Sequence, residues 1–178
     1  MSKPRKWLST LRVMFFMVLA SFGLTSCAEE SEYGKLPFSL PFDAGRVGSK
    51  TDFKINVIEK NKYRLSIVFA IKNIPEESKR IGKILGIPQR IGPAQWIERG
   101  VPAQFLVRVY KQPGNDELLN ELVNHPKSSA GYVGRWADIV DIRLEPGNYS
   151  VTLEYMQGAP ELAALPAKIV FARAYHGK

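Results

Sequence analysis

The amino-acid sequence predicts an all-β domain with short helical insertions, folded as a β-sandwich of about seven strands. Three observations lead there. Runs in which apolar and polar residues alternate with period two recur along the chain, separated by turns rich in Gly, Pro and Asn. Long helical patterns do not alternate with those runs, which argues against a parallel α/β sheet. Of the 178 residues, the 152 that remain once residues 1–26 are set aside suit one domain with a substantial core.

Residues 1–26 are set aside for a physical reason. Lys3, Arg5, Lys6 and Arg12 form a positive stretch without an acid, and Val13 to Gly23 is an apolar run of eleven residues. That run is far short of the roughly 20 residues a spanning helix needs, so the segment reads as a signal peptide. The plainer alternative is a short buried helix that happens to end in cysteine. Leu24, Thr25, Ser26 and Cys27 resemble the lipobox of bacterial lipoproteins. The resemblance implies cleavage before Cys27, a diacylglyceryl thioether on its sulfur and acylation of the new N-terminus, hence a protein anchored to a membrane rather than spanning it. With no second cysteine, a disulfide within the chain is excluded. Residues 27–35, the lipidated cysteine followed by a short polar and acidic stretch, are expected to be a flexible tether reaching at most about 30 Å. The domain then occupies 36–178. Ala28 stands where enteric-type lipoproteins retained in the inner membrane carry aspartate, so the resemblance implies the periplasmic face of the outer membrane.

Along the domain, Lys35 to Phe42 holds Pro37 and Pro41 and reads as an extended edge segment. Phe53, Ile55 and Val57 alternate as a half-buried strand. Tyr63, Leu65, Ile67, Phe69 and Ile71 give the cleanest alternation in the chain, and these two strands are expected to pair as a hairpin through Lys60, Asn61 and Lys62. The period then changes. Pro75 opens a short helix with Glu76 and Glu77 in its first turn, Lys83 near its end and Gly86 to close it. Residues 86–102 are broken by Pro88, Gly92, Pro93, Gly100 and Pro102 and read as a long irregular connection, a type of loop that is often functional. Ala103 to Gln112 is a strand. Asn115 is placed as the cap of a second helix, with Leu118, Leu119, Leu122 and Val123 as its stripe and His125-Pro126 as its end. Strands follow at Trp136 to Leu144, Tyr149 to Gln157 and Ala167 to Ala174, with one helical turn around Glu161 to Leu165.

Leu144, Pro146, Gly147 and Tyr149, leading into an alternating strand, resemble the tyrosine corner of Greek-key sandwiches. There a tyrosine hydroxyl reaches back to a nearby backbone group at a turn between sheets. This resemblance implies an immunoglobulin-like Greek-key β-sandwich; the alternative is an ordinary hairpin over Glu145 to Asn148. Residues 36–174 as a whole resemble a group of uncharacterised proteobacterial lipoproteins that carry a domain of unknown function, through the Tyr63–Ile71 strand, the Gly100-Val101-Pro102 step and the Leu-x-Pro-Gly-x-Tyr turn. These are strand and turn motifs, and the resemblance brings no catalytic residues.

The residues themselves call for no cofactor. His125 and His176 belong to no zinc spacing, and neither a Gly-x-Ser-x-Gly elbow nor a phosphate loop is present. Asp138 and Asp141, three apart, would face opposite sides of a straight strand and make a poor carboxylate pair. No catalytic or metal site is therefore assigned. The full chain has 25 basic and 17 acidic residues, but four of the basic ones lie in the signal, leaving a net +4. So small an excess, on an exported chain, does not call for nucleic acid. What does stand out is Arg90, Trp96 and Arg99 in one insertion and Tyr132, Arg135 and Trp136 in another, residue types enriched where proteins bind proteins. The plainer account is that each tryptophan plugs the core beneath a loop. The expected function is a non-catalytic, lipid-anchored module that recognises a protein partner in the periplasm, of an immunity or envelope-structural type. The alternative is a small-ligand or enzymatic lipoprotein with a pocket between sandwich and insertions.

Overall fold

The structure, a computed structural model, describes residues 33–71, 75–130 and 134–174. Cys27, Tyr132 and His176 lie outside these residues. Among the described residues there are eleven strands: β1 (Phe38–Phe42), β2 (Lys50–Val57), β3 (Asn61–Ala70), β4 (Gln89–Arg90), β5 (Trp96–Ile97), β6 (Ala103–Gln112), β7 (Asp116–Asn124), β8 (Lys127–Ala130), β9 (Gly134–Leu144), β10 (Gly147–Gly158) and β11 (Ala167–Arg173). One helix, α1 (Pro75–Ile84), follows β3, and a 3-10 turn (Pro160–Ala164) precedes β11.

Two antiparallel sheets face each other, one ordered β1-β11-β3-β9-β8 and the other β2-β10-β6-β7. Alternation decides which side chains meet between them. Tyr63, Leu65, Ile67 and Phe69 of β3 and Ile169 and Phe171 of β11 face Phe53, Ile55 and Val57 of β2, Phe105, Val107 and Val109 of β6 and Tyr149, Val151, Leu153 and Tyr155 of β10. All are buried. Rings in this layer stack and tilt against each other, as Tyr63 does on Phe171 at 6.0 Å and Phe105 on Tyr155 at 5.3 Å.

The sandwich is the one the alternation predicts, but four strands escape the sequence. β4, β5 and β8 are too short to show a period. β7 is the segment expected to be a helix, and the structure corrects it: Asp116–Asn124 pairs along β6 through a turn at residues 113–115, where Asn115 is not a cap but holds φ 57. A bulge opposite Val109 absorbs Leu118, which turns the apparent helical stripe into two strand faces. Glu121 lies in register with Val107 on the core-side face yet is exposed, an inward charge that discourages further strand addition at this edge.

The expected hairpin between β2 and β3 does not form. β2 pairs with β10 and β3 with β9 and β11, so the short link at residues 58–60 crosses between sheets instead. In immunoglobulin order the first strand lies beside the second and the last beside the penultimate. Here the two places are exchanged: β11 joins β3, and β2 joins β10. Residues 33–35, expected to be tether, are already part of the domain, because Gly34 donates to Lys54 O at 2.9 Å and accepts from Asn56 N at 3.1 Å along the β2 edge.

The crossings at one end of the sandwich share a device. Tyr149 Oη donates to Glu145 O at 2.7 Å, and Tyr63 Oη donates to Glu59 O at 2.8 Å. Each tyrosine opens a strand just after the chain changes sheets and closes back on the carbonyl four residues earlier. Lys60 Nζ joins the two corners by an ion pair to Glu145 at 2.7 Å. Burial pushes the Tyr149 hydroxyl pKa up, with the Glu145 carbonyl opposing the shift. Tyr149→Phe and Tyr63→Phe are each expected to lower stability by about 0.5 to 1.5 kcal/mol, read as a lower denaturant midpoint at unchanged slope. An unchanged midpoint in both would reduce the corners to ordinary turns.

Candidate functional site

The far end of the sandwich carries the two insertions. α1 follows β3, with Pro75 in its first turn, Glu76 and Glu77 beside the positive helix start and Lys83 in the last turn. Its Ile81, together with Leu85 just beyond, is buried on the core. Lys79, Gly82 and Lys83, at spacing i, i+3 and i+4, share another face. Beyond α1 the chain turns at Gly86 (φ 60) and returns past Gly100 (φ 71), the two backbones almost touching. A Cβ on Gly86 would lie 2.1 Å from Gly100 O, and one on Gly100 would lie 2.3 Å from His125 O. Between these glycines the expected irregular connection contains a minimal hairpin, β4 with β5, in which Arg90 pairs with Trp96.

Helix and hairpin border an open cleft with two adjoining compartments. One, about 450 Å³, is lined by Ser78, Lys79, Gly82, Lys83, Ile87, Gln89, Arg90 and Arg135. The other, about 280 Å³, shares Lys83, Ile87 and Gln89 and adds Gly86, Ile91, Ile97 and Arg99. Cations line both compartments, and among the described residues no carboxylate does. Glu98, the one acid of residues 86–102, is drawn off towards Lys127 at 3.9 Å. Arg135 reaches the cleft because β9 places it in register with Phe69, on the core side at the very end of the sheet. From there it donates to Ser78 Oγ of α1 at 2.5 Å, a neutral partner, while its Nε is buried without one among the described residues. Arg90 donates to Gly92 O at 2.9 Å and Pro93 O at 2.5 Å, which folds the hairpin tip around its own guanidinium.

The structure thus brings Arg90 and Arg135, from different insertions, into one compartment and sets Arg99 in the next. Trp96, paired with Arg90 across the hairpin, lines neither compartment; it is 63% exposed and is no core plug. Trp136 is separate: it lies in register with Val68 on the outer face of the five-stranded sheet, half-buried. Ser78 and Gln89 were not singled out from the sequence; Lys79 and Lys83 contribute to the basic excess of the first insertion but were not among the six candidate surface residues, although the i, i+3, i+4 spacing of Lys79, Gly82 and Lys83 is visible there.

A second polar cluster corrects the reading of Asp138 and Asp141. A bulge in β9 opposite the Leu65–Ser66 step shifts the register, so both carboxylates face outward on the same side. Arg64 donates to Asp141 at 2.6 Å and 3.0 Å and to Asp138 at 2.9 Å. Ser66 Oγ donates to Asp138 at 3.0 Å, and Lys62 pairs with Asp141 at 2.8 Å. The Arg64 hydrogen bond, opposed by burial and helped by Lys62, lowers the Asp141 pKa to about 2. Every carboxylate here is matched by a donor, an arrangement that stabilises the sheet and offers no unengaged acid or base. Because the folded pKa is depressed, the stabilisation is complete above about pH 4 and fades as pH falls through about 2. Asp141→Asn is expected to cost about 1 kcal/mol at neutral pH after allowing for solvent screening. Midpoints of variant and wild type measured against pH should converge near pH 2.

A more apolar hollow of about 630 Å³ lies at the opposite end, where the chain enters the domain past Leu36 and Pro37 and meets Ile58, Tyr63 and Arg173. Among the described residues, none of the candidate partner-surface residues lines it. Among the described residues no group of three or more His, Cys, Asp or Glu side chains is arranged to hold a metal ion, and no helix is long and apolar enough to cross a membrane.

Comparison with known proteins agrees with this architecture. A crystal structure of a protein from Sulfurospirillum deleyianum superimposes with a TM-score of 0.64 at 17% identity, over 79% of this chain and 98% of that one. A ruminal GH26 endo-beta-1,4-mannanase superimposes with a TM-score of only 0.39 at 12% identity, over 82% of this chain and 28% of that one, too low to carry an argument. No curated protein matches the chain. The sequence pattern of a domain of unknown function covers residues 39–173, from β1 to the end of β11, and by that match the chain belongs to the DUF5625 family.

Proposed function

We propose that the chain is a lipid-anchored, periplasm-facing binding module that recognises a protein partner through the cleft between α1 and the β4–β5 hairpin, without covalent chemistry. The single observation that carries this reading is the cleft itself, where Lys79, Lys83, Arg90, Arg99 and Arg135 gather with two exposed isoleucines, Ile91 and Ile97, and where Arg90 is paired across the hairpin with an exposed Trp96. Tryptophan and arginine are the residues that most often carry binding energy in protein interfaces. The lining supplies cations and amides but no nucleophile paired with a base. The lipobox-like Leu24–Cys27 stretch supports the anchor, and Ala28 after it supports the outer-membrane address.

The test compares Trp96→Ala with Trp136→Ala once a partner has been isolated by crosslinking in the native cells. Trp96→Ala is expected to lose about 2 kcal/mol or more of affinity while melting normally. Trp136→Ala, which uncovers Val68, is expected to lower the melting temperature with a smaller loss of affinity. Unchanged partner affinity in Trp96→Ala would remove the cleft from the interface. The concave volumes of about 450 and 280 Å³ favour a second reading, a small anionic ligand.

A further inference from the structure

The two compartments of the cleft are alike in charge and meet at an apolar wall. Lys79, Arg90 and Arg135 stand in one and Arg99 in the other, with Lys83 shared. Ile87 belongs to both, and Ile91 and Ile97 continue the wall beside Arg99. Two cationic pockets on either side of an isoleucine surface match a ligand that carries two anionic groups flanking an apolar one. Arg90 is held by its own hairpin tip and Arg135 by Ser78, so both guanidiniums are ordered before a ligand arrives, which lowers the entropic cost of binding.

The cleft lies far from where the chain enters the domain. The chain enters the domain at Tyr33 and Gly34, alongside the end of β2 that leads to the tyrosine corners. α1 and β4–β5 leave from the other end of β3, ten residues away, roughly 30 Å along a strand. The cleft therefore opens at the end of the sandwich away from the point where the chain enters the domain.

We propose that the cleft takes an acidic polypeptide segment in which two carboxylate side chains flank an apolar residue. This rests on the reading of the chain as a partner-binding module and adds the chemistry of the partner. Each carboxylate engages one cationic compartment, and the apolar side chain lies on Ile87, Ile91 and Ile97 with Trp96 at the rim.

The test uses the purified full chain in non-ionic detergent and a fluorescein-labelled peptide, Glu-Glu-Leu-Glu-Glu, read by fluorescence anisotropy at low and high salt. The expected result is saturable binding that weakens with salt and falls about tenfold or more in Lys83→Glu and in Arg99→Glu, both melting as wild type. Should either reversal unfold the domain, Lys83→Gln and Arg99→Gln give the same measurement with a smaller fall. A Lys-Lys-Leu-Lys-Lys peptide is expected not to bind, and Glu-Glu-Gly-Glu-Glu to bind more weakly than the leucine form. Absence of peptide binding, or affinity indifferent to both charge changes, overturns the inference. So does displacement of the peptide by inorganic phosphate or by phosphatidylglycerol vesicles as effectively as by unlabelled peptide, which would make the site one for phosphate, free or in a headgroup. If the isolated partner loses affinity for Trp96→Ala but not for either charge reversal, the acidic-segment inference fails while the binding reading stands. If partner affinity is indifferent to all three variants, it is the reading of the cleft as the interface that fails.

Discussion

Gly100→Ala is expected to destabilise the domain by about 3 kcal/mol or more, a large share of the roughly 5 to 15 kcal/mol that holds a domain of this size. Two costs add. At φ 71 an L-residue with a Cβ is strained by about 1 to 2 kcal/mol. The added methyl carbon would also sit 2.3 Å from His125 O and 3.0 Å from Pro126 O, both backbone atoms that cannot rotate away. Those atoms are fixed in turn, because Val101 N donates to Pro126 O at 2.8 Å and His125 N to Ala103 O at 2.9 Å. Relief therefore means moving the start of β6 away from the end of β7. Since Gly86 packs on Gly100 O, the displacement passes directly to the cleft, and binding should weaken even in the fraction that stays folded. Denaturant midpoints of Gly100→Ala beside Gly48→Ala give the check. Gly48 also has a positive φ, 81, but nothing lies near its added carbon, so it reports strain without the clash. Equal losses in the two variants would show that the close crossing of backbones contributes nothing.

Cys27→Ser is expected to abolish lipid attachment altogether. Under the proposed anchoring, each buried methylene contributes about 0.8 kcal/mol, so two or three acyl chains hold the protein on the bilayer with no measurable soluble pool. A serine hydroxyl cannot form the thioether, and cleavage that depends on the lipidated cysteine should stop with it. The expected observations are loss of palmitate labelling and accumulation of a precursor that still carries residues 1–26. Normal processing of Cys27→Ser, or palmitate incorporation into it, would refute the anchor. Cys27 lies outside the described residues, and the domain is expected to melt as wild type once the variant is purified.

The legibility of this chain follows from where each kind of order originates. Strands that bury one face on the core announce themselves by period two, which is why β2, β3, β6, β10 and β11 could be read from Phe53, Tyr63, Phe105, Tyr149 and Ile169 onward. α1 was equally legible, since Pro75, the acids of its first turn and Gly86 are local signals. The tyrosine hydroxyl contact at Glu145 needs only four residues of chain, and the motif for it stands in the sequence. Its counterpart at Tyr63 has the same spacing without the Pro-Gly turn, and was missed for that reason. β7 defeated the reading because Leu118, Leu119, Leu122 and Val123 fit a helical stripe as well as a bulged strand. Only the open edge of β6 decides between them.

What the amino-acid sequence determined by itself was local: which segments alternate, where turns fall, that the domain is an all-β sandwich, and that Arg90, Trp96 and Arg99 stand in a connection between strands. What the tertiary structure decided was partnership. Strand pairing compares distant segments, so β2 could join β10 and β11 could join β3 without any change in their own patterns. The one-residue bulge in β9 turned Asp138 and Asp141 to the same side, a shift that no spacing rule for a straight strand contains. The meeting of Lys79, Lys83, Arg90, Arg99 and Arg135 in one cleft depends on three segments converging, with Gly86 against Gly100 and Arg135 under α1. Contacts of that kind are set by packing across the fold, and in the chain itself they are only charges far apart.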